Sequence, residues 1–425
     1  MSQGTKGTGM PRRDFLKTTA GVTGAAFAAN LLGAGVFSQA TDTIKVGLIG
    51  CGGRGTGAAR DCVGSSEGVE LVAMGDAFGD RLNGSRNNLK EALGDKFKVT
   101  DDTAFSGFDA FEKVLATDCN YVILATPPGF RPIHFTAAIA AGKNVFMEKP
   151  VAVCPNGIRM VWAAGDQARA KGLGVVAGTQ RRHQEGYVET IKRIHDGAIG
   201  DVLAAQCYWN QGGLWKHDRK PEYSDIEWQL RNWLYFTWIG GDHICEQHVH
   251  NIDVMNWVIG THPEKVVTLG GRQARTDPAY GQIFDHFAAD FTYPDGVKVM
   301  SMCRQIGNCQ NNVSEFVIGS EGTSGPGGWI NGKEEYRHKG GPNAYAQEHA
   351  DNIAAIRAGE PLMEAYNVAT STACAIMARM SAYTGKEVTW DFVMRESKLN
   401  LVRDIRAFGD MPVDPVPMPG QTELI

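Results

Sequence analysis

No Cys-x-x-Cys pair occurs in the 425 residues, although nine cysteines are scattered between Cys51 and Cys374. Without that spacing the cysteines read as free buried thiols, with Cys303 and Cys309 the one close pair. An excess of positive charge is also missing: 42 Lys and Arg stand against 47 Asp and Glu, a formal net charge of −5. Nucleic acid is therefore not an expected partner. Internal repeats and low-complexity tracts are absent, which sets aside solenoids and disordered arrays. Long uncharged runs are scarce as well, since only Thr18 to Phe37 approaches the width of a bilayer.

That run belongs to a targeting segment rather than to the fold. Lys6, Arg12, Arg13 and Lys17 precede or flank it, and Ser38-Gln39-Ala40 offers a small-residue cleavage site. Arg12-Arg13-Asp14-Phe15-Leu16-Lys17 resembles a twin-arginine export signal. The run is rich in Gly, Ala and Thr, too weakly apolar for a permanent anchor. The expectation is a soluble periplasmic protein, beginning near Thr41 after cleavage near Ala40, with no permanent membrane span. The resemblance implies that the export machinery carries the chain already folded, with any cofactor loaded inside the cell. Residues 1–40 hold four basic groups and one acid, so the remainder sits near −8. At 43% hydrophobic content it is long enough for two domains, expected at 41–152 and 153–410, with a tail from 411 to 425.

The stretch that organises the chain runs from Ile44 to Gly57. Ile44, Val46, Leu48 and Ile49 form a near-continuous apolar run, as in a parallel strand buried on both faces. Gly50-x-Gly52-Gly53-Arg54-Gly55 follows with dinucleotide-fold spacing, opening a helix whose free N–H groups face phosphates. A second apolar run from Val69 ends at Asp76, where a carboxylate can accept from the adenosine ribose hydroxyls; this favours NAD over NADP. Strands and helices then alternate to Pro150, a doubly wound α/β pattern. Tyr121 to Thr126-Pro127 is a buried strand that stops at a carboxyl edge, with His134 one helical turn into the next element as a candidate beside the nicotinamide ribose.

The strand at 144–147 delivers Glu148-Lys149-Pro150. With the glycine turn, Asp76, Thr126-Pro127 and His134, this tripeptide resembles the family of glucose–fructose oxidoreductase, inositol 2-dehydrogenase and the rhizopine-catabolism oxidoreductases, known as Gfo/Idh/MocA. The resemblance covers essentially the whole chain beyond the signal. It implies a Rossmann domain followed by an α+β substrate domain with a large, mostly antiparallel open sheet, and association through that sheet into a homodimer or homotetramer. Lys149 has a chemical reason to be there, because oxidising an alcohol needs a base for the hydroxyl proton while hydride leaves carbon. Glu148 reads as a holder of ribose.

In the second half, Arg181 and Arg182 offer fixed donors for a polyol or acidic group. Six of the nine tryptophans fall between Trp209 and Trp257, where flat rings could stack on sugar or simply pack. Loop 211–231 reads as a lid. Asp242 to Trp257 reads as one helix, which would set Glu246, His250 and Asp253 on a common face. The family carries an aspartate four residues before a histidine on this helix; the matching positions are Glu246 and His250, which implies His250 as acid/base partner of Lys149. Glutamate for aspartate and an extra His248 are departures that leave the substrate open. His248, Asp253 and Trp238 join Arg181 and Arg182 as candidate substrate residues. His243, Glu246, His248 and His250 would also suit zinc, but helical spacing turns 248 and 250 apart; no metal is assigned. Strands follow at 265–271, 284–293, 297–304 and 314–319, with a hairpin turn at Tyr293-Pro-Asp-Gly296. Helices near 345–358 and 367–384 close the fold, and the tail, with four prolines, should run extended.

Three functions stay open on this reading. The first is an exported NAD-dependent oxidoreductase of a sugar, polyol or derivative that keeps its cofactor. The second is a redox-neutral NAD-dependent glycosidase, resembling the family's α-N-acetylgalactosaminidase branch. The third is a carbohydrate-binding protein that has lost the chemistry.

Overall fold

The computed structural model describes residues 43–425. The signal segment, its cleavage site and the uncharged run lie outside the described residues. No helix among the described residues is long and apolar enough to cross a membrane.

The apolar runs become a six-stranded parallel sheet in the order β3-β2-β1-β4-β5-β6. Its elements are β1 (Ile44–Ile49), α1 (Gly53–Ser65), β2 (Val69–Asp76), α2 (Gly79–Leu93), β3 (Ala104–Ser106), α3 (Ala110–Leu115), β4 (Tyr121–Leu124), α4 (Arg131–Ala140), β5 (Asn144–Met147), α5 (Pro155–Ala170) and β6 (Val175–Ala177). Strand β4 is fully buried, as continuous Tyr-Val-Ile-Leu requires between two helical layers. The order reverses between β1 and β4, and the crevice at their carboxyl ends is where such sheets bind ligands.

Beyond it come α6 (Glu185–His195), β7 (Val202–Gln211), α7 (Asp225–Arg231), α8 (Thr237–Gly240), α9 (His243–Glu246) and α10 (Val249–Ile259). A nine-stranded sheet is then completed by β8 (Lys265–Gly271), β9 (His286–Thr292), β10 (Lys298–Gln305), β11 (Asn312–Gly319), β12 (Thr323–Gly325), β13 (Trp329–Asn331) and β14 (Glu335–Arg337). The last elements are α11 (Ala344–Ala358), α12 (Ala365–Thr384) and β15 (Val388–Thr389). The order β14-β13-β12-β11-β7-β10-β9-β8-β15 is antiparallel except where β7 meets β10 in parallel. Asp295 and Gly296, at φ 61° and 78°, make the turn between β9 and β10. One face of the sheet packs on α12, buried from Ser371 to Thr384; Val267, Leu269 and Met300 lie exposed.

The expected single helix from Asp242 is a correction. Asp242 sits at φ 71°, and its side chain accepts from the His243 N–H, the Phe284 N–H and the Tyr383 hydroxyl. The helix runs only from His243 to Glu246, breaks at Gln247 and His248, and restarts at Val249. The long strand β7 and the small strands β12 to β14 lie where no strand was expected.

His349 on α11 is fully buried, with neither ring nitrogen hydrogen-bonded and its ring 4.2 Å from that of Phe146. Burial first, then the charges of Arg54 and His183, lower its pKa from 6.5 to about 3. The ring is neutral in the fold and protonates on unfolding, so its contribution is complete above about pH 6.5 and is lost as pH falls toward 3. His349→Phe should therefore flatten the fall of stability between pH 6 and 4 by about one proton, or about 1.4 kcal/mol per pH unit. Urea titrations across that range read the slope directly, and an unchanged slope refutes the assignment.

Candidate active site

The glycine turn is built by backbone crowding. Gly50 lies at φ 100°, and a Cβ there would meet the Ala125 and Thr126 backbone; a Cβ on Gly55 would run into the Gly50 carbonyl. Only glycine lets the loop, the helix and β4 close together. At Gly52 and Gly53 a Cβ would meet nothing within 4 Å, so their backbones face open space. That space is a cavity of about 790 Å³ lined by Gly50 to Gly57, Asp76, Thr126, Pro127 and His134. The cradle fits a dinucleotide, with free N–H groups at the start of α1 for its phosphates.

Asp76 ends β2 in the cavity lining. Its two carboxylate oxygens accept from the Cys51 N–H at 2.7 Å and the Phe78 N–H at 2.8 Å. Burial raises its pKa while those two N–H groups lower it. Each oxygen keeps a further lone pair, so the group remains an acceptor for ribose hydroxyls. Thr126 Oγ1 and His134 Nδ1 lie 3.0 Å apart, and the His134 ring is stacked with Phe111 and Phe130. Burial, then Arg131 and Arg406, lower its pKa to about 3, so the imidazole is neutral.

The roof of the cavity comes from distant sequence. Trp215, His217, Leu230 and Trp233 line it from the loop and helix after β7, and Asp404 and Ile405 line it from the C-terminal segment. Phe408 packs on Phe78 at 5.6 Å and edge-on against Phe108 at 4.9 Å. The Gly409 carbonyl accepts from the Ile226 N–H, and the Met411 N–H donates to Asp225. Strap and lid thus hold each other.

Glu148 and Lys149 stand outside the cavity lining. The Glu148 carboxylate is buried and accepts from Arg54 Nε; Arg54 Nη2 donates to Glu348 Oε1 at 3.1 Å, and its guanidinium lies 4.8 Å from the Tyr345 ring. The expected ribose holder is thus engaged by the glycine loop's own arginine. Lys149 Nζ donates to the Glu246 carbonyl and, at 3.1 Å, to its Oε1. The short helix α9 is what lets Glu246 offer both oxygens. His250, on the far side of the break, stacks on Trp209 at 5.7 Å and leaves Nδ1 unpartnered. Burial first, then Lys149, Arg181 and Arg54, push its pKa well below 6.5. Lys149, Glu246 and His250 are therefore brought together, as a held amine beside a neutral imidazole.

The five expected substrate residues each have partners inside the protein. Arg182 and Asp253 form a bidentate pair at 2.8 and 2.9 Å, and Ser371 also donates to Asp253. Arg181 pairs with Glu315. His248 is fully buried, its Nε2 2.6 Å from Ser301 Oγ. Trp238 is buried and donates to Gln229 at 2.7 Å. Burying a charge requires a partner, and each of these groups finds one inside the protein. His243 Nδ1 lies 2.9 Å from Asp242, and no group of three His, Cys, Asp or Glu among the described residues is placed to hold a metal. Sequence reasoning missed Arg131, whose guanidinium donates to the carbonyls of Leu124, Thr126 and Glu148. Nothing in the sequence separates it from a surface arginine at a helix start.

Two family models match the chain: an oxidoreductase family with NAD-binding Rossmann fold over residues 44–176, and the GFO/IDH/MocA C-terminal domain over 187–324. Inositol 2-dehydrogenase of Klebsiella pneumoniae is 30% identical over 217 residues, 51% of this chain and 55% of that protein. The 2,7-anhydro-N-acetylneuraminate hydratase of Escherichia coli is 28% identical over 195 residues, 45% of this chain and 46% of that protein. The chain thus spans about half the length of the curated relatives it matches. The myo-inositol 2-dehydrogenase structure from Lactobacillus plantarum shares the fold with a TM-score of 0.62 at 20% identity, covering 81% of this chain and 99% of that one. With the cofactor-binding and C-terminal models both matched, over well more than half its length together, the chain belongs to the GFO/IDH/MocA family.

Proposed function

We propose that the protein is an NAD-dependent oxidoreductase that takes hydride from a CH–OH carbon of a sugar, polyol or sugar derivative. The observation that carries the reading is the Lys149 amine, fixed by the carbonyl and carboxylate oxygens of Glu246 beside a neutral His250, just past the strand that pairs with the one leading to Thr126. The relatives' names, an inositol dehydrogenase and a sugar-acid hydratase, support a polyhydroxylated substrate. Asp76 at the end of β2 supports NAD over NADP.

Bound NAD supplies the hydride acceptor. Two hydrogens of the Lys149 amine are committed to Glu246, which leaves one direction of the nitrogen for a substrate hydroxyl. As the carbonyl forms, the hydroxyl proton passes to the free direction of a neutral Lys149 amine while hydride leaves carbon for NAD, and neutral His250 beside it adds no competing charge. Neutral His134 and Thr126 stand at the cavity wall on the β4 edge, where they orient the cofactor without adding charge.

The chain is proposed to be exported through the twin-arginine route with its cofactor retained. Outside the cytoplasm NADH has no ready acceptor, and the roof of lid and strap supports retention. Retention in turn favours a redox-neutral cycle, either paired oxidation and reduction of two sugars or glycoside cleavage by oxidation, elimination and return of hydride. Val267, Leu269 and Met300, exposed on the nine-stranded sheet, support a homodimer or homotetramer.

Protein purified without added cofactor and then denatured should release close to one NAD(H) per chain; an empty protein that also fails to bind NAD overturns the reading. Phe408→Ala, which loosens the strap, should speed loss of the dinucleotide on dialysis by about tenfold or more, followed by nicotinamide fluorescence. Lys149→Ala should keep the dinucleotide and lose turnover by a factor of about 100 or more. Release of nitrophenol from glycosides with no net NADH would select the glycosidase cycle.

A further inference from the structure

Gln247 follows Glu246 at the break, its amide joined through Gln211 to the Trp209 ring that stacks on His250, and two donor-only groups fix which way that amide points. At one end, the Trp209 indole N–H donates to Gln211 Oε1 at 2.8 Å. Indole nitrogen cannot accept, so Gln211 must turn its NH2 outward, and it donates to Gln247 Oε1 at 3.1 Å. At the other end, Arg275 Nη1 donates to Gln305 Oε1. Guanidinium cannot accept either, so the Gln305 NH2 is also turned, and it donates to Gln247 Oε1 at 2.6 Å. The oxygen of Gln247 thus takes two hydrogen bonds, while its NH2 has no partner among the described residues.

Arg275 gives this relay a sign. It is buried, and no carboxylate lies within ion-pair distance of its guanidinium among the described residues. Its guanidinium instead meets the Phe284 carbonyl at 2.7 Å and the rings of Tyr235 and Tyr280 at 5.6 and 5.7 Å; only its backbone N–H reaches Asp285. A buried positive charge whose strongest acceptor is an amide polarises that amide and the next one in the same direction. The free Gln247 NH2 is therefore a strengthened donor, and its best partner is an oxygen that only accepts.

We infer that Gln247 is a specificity-determining residue that recognises a carbonyl-type oxygen on the substrate, either the acyl oxygen of an N-acyl sugar or the carboxylate of a sugar acid. The inference rests on the sugar oxidoreductase reading above and names the substrate class for that same site. Plain ring hydroxyls, which donate as well as accept, gain less from a site that offers only a donor.

The test is direct binding by calorimetry to NAD-loaded protein, with N-acetyl-D-glucosamine, D-glucuronate, D-glucose and myo-inositol as probes. The expected result is about tenfold tighter binding of one or both of the first two over the last two, as the loss of one well-made hydrogen bond implies. The N-acetyl and carboxylate arms tell the two sources apart. Gln247→Leu should abolish the preference. Gln247→Glu keeps the shape but replaces the free donor with an acceptor, and should reverse the preference for D-glucuronate; bound NAD checks that both variants are folded. Equal binding of all four sugars by the parent protein, or a preference unchanged in both variants, overturns the inference and leaves the oxidoreductase reading intact. NAD binding with none of the four sugars bound overturns both.

Discussion

The buried guanidinium of Arg131 is the interaction on which the site depends. Parallel strands end with carbonyls that no neighbouring strand can satisfy, and a crevice that must admit a ligand cannot cover them with more sheet. Arg131 meets the Leu124 and Thr126 carbonyls at 2.5 Å each and the Glu148 carbonyl at 3.0 Å, so one side chain ties the ends of β4 and β5. Burial lowers its pKa to about 10, which still leaves it charged at neutral pH. Thr126 on the cavity wall and Lys149 against Glu246 hang from those two strand ends. Their relative position is therefore set by three charge-assisted hydrogen bonds rather than by loop packing.

A second arginine performs the matching task across the glycine turn. Arg54 belongs to the dinucleotide motif by sequence, yet its guanidinium reaches Glu148 and Glu348, from strand β5 and helix α11. Two buried carboxylates on one cation cannot both be fully compensated. Burial, and next Glu148, push the Glu348 pKa well above 4.5, and its second oxygen has no partner. The surroundings thus favour the protonated form of Glu348, which relieves the conflict with Glu148 over Arg54. The phosphate-binding turn, the strand carrying Lys149 and a helix almost 300 residues away become one mechanical unit.

What was legible in the sequence follows from the range of the forces involved. The dinucleotide half is specified locally: Gly50 and Gly55 by backbone crowding, Val69 to Asp76 and Tyr121 to Leu124 by burial on both faces. Local rules recover such elements. The helix at Asp242 was misread because the rule that breaks it is not local: Asp242 is held at φ 71° by Tyr383 and Phe284, over 40 residues away. The partners of the expected substrate residues are equally distant in sequence. Arg181 faces Glu315 and Arg182 faces Asp253, at separations of 134 and 71 residues that no spacing rule carries. Composition could suggest that arginines and tryptophans meet substrate, but only the tertiary fold decides which charges are already spent on one another.

The break in that helix also sets how Lys149, Glu246 and His250 are arranged. In a continuous helix the Glu246 carbonyl would be committed to the N–H four residues on, and His250 would stand directly above Glu246. With the helix ended at Glu246, its carbonyl is free to receive the Lys149 amine along with its own carboxylate. Gln247, at φ −113°, turns toward Gln211 and Gln305, and His250 turns onto Trp209. One interrupted turn thus separates three functions that a regular helix would stack on one face: holding the amine, offering a donor, and presenting a neutral imidazole. The strain of Asp242 is stabilised by the buried hydrogen bonds to its carboxylate, so the irregularity that defeats a periodic reading of the sequence is the feature that brings Lys149 onto Glu246.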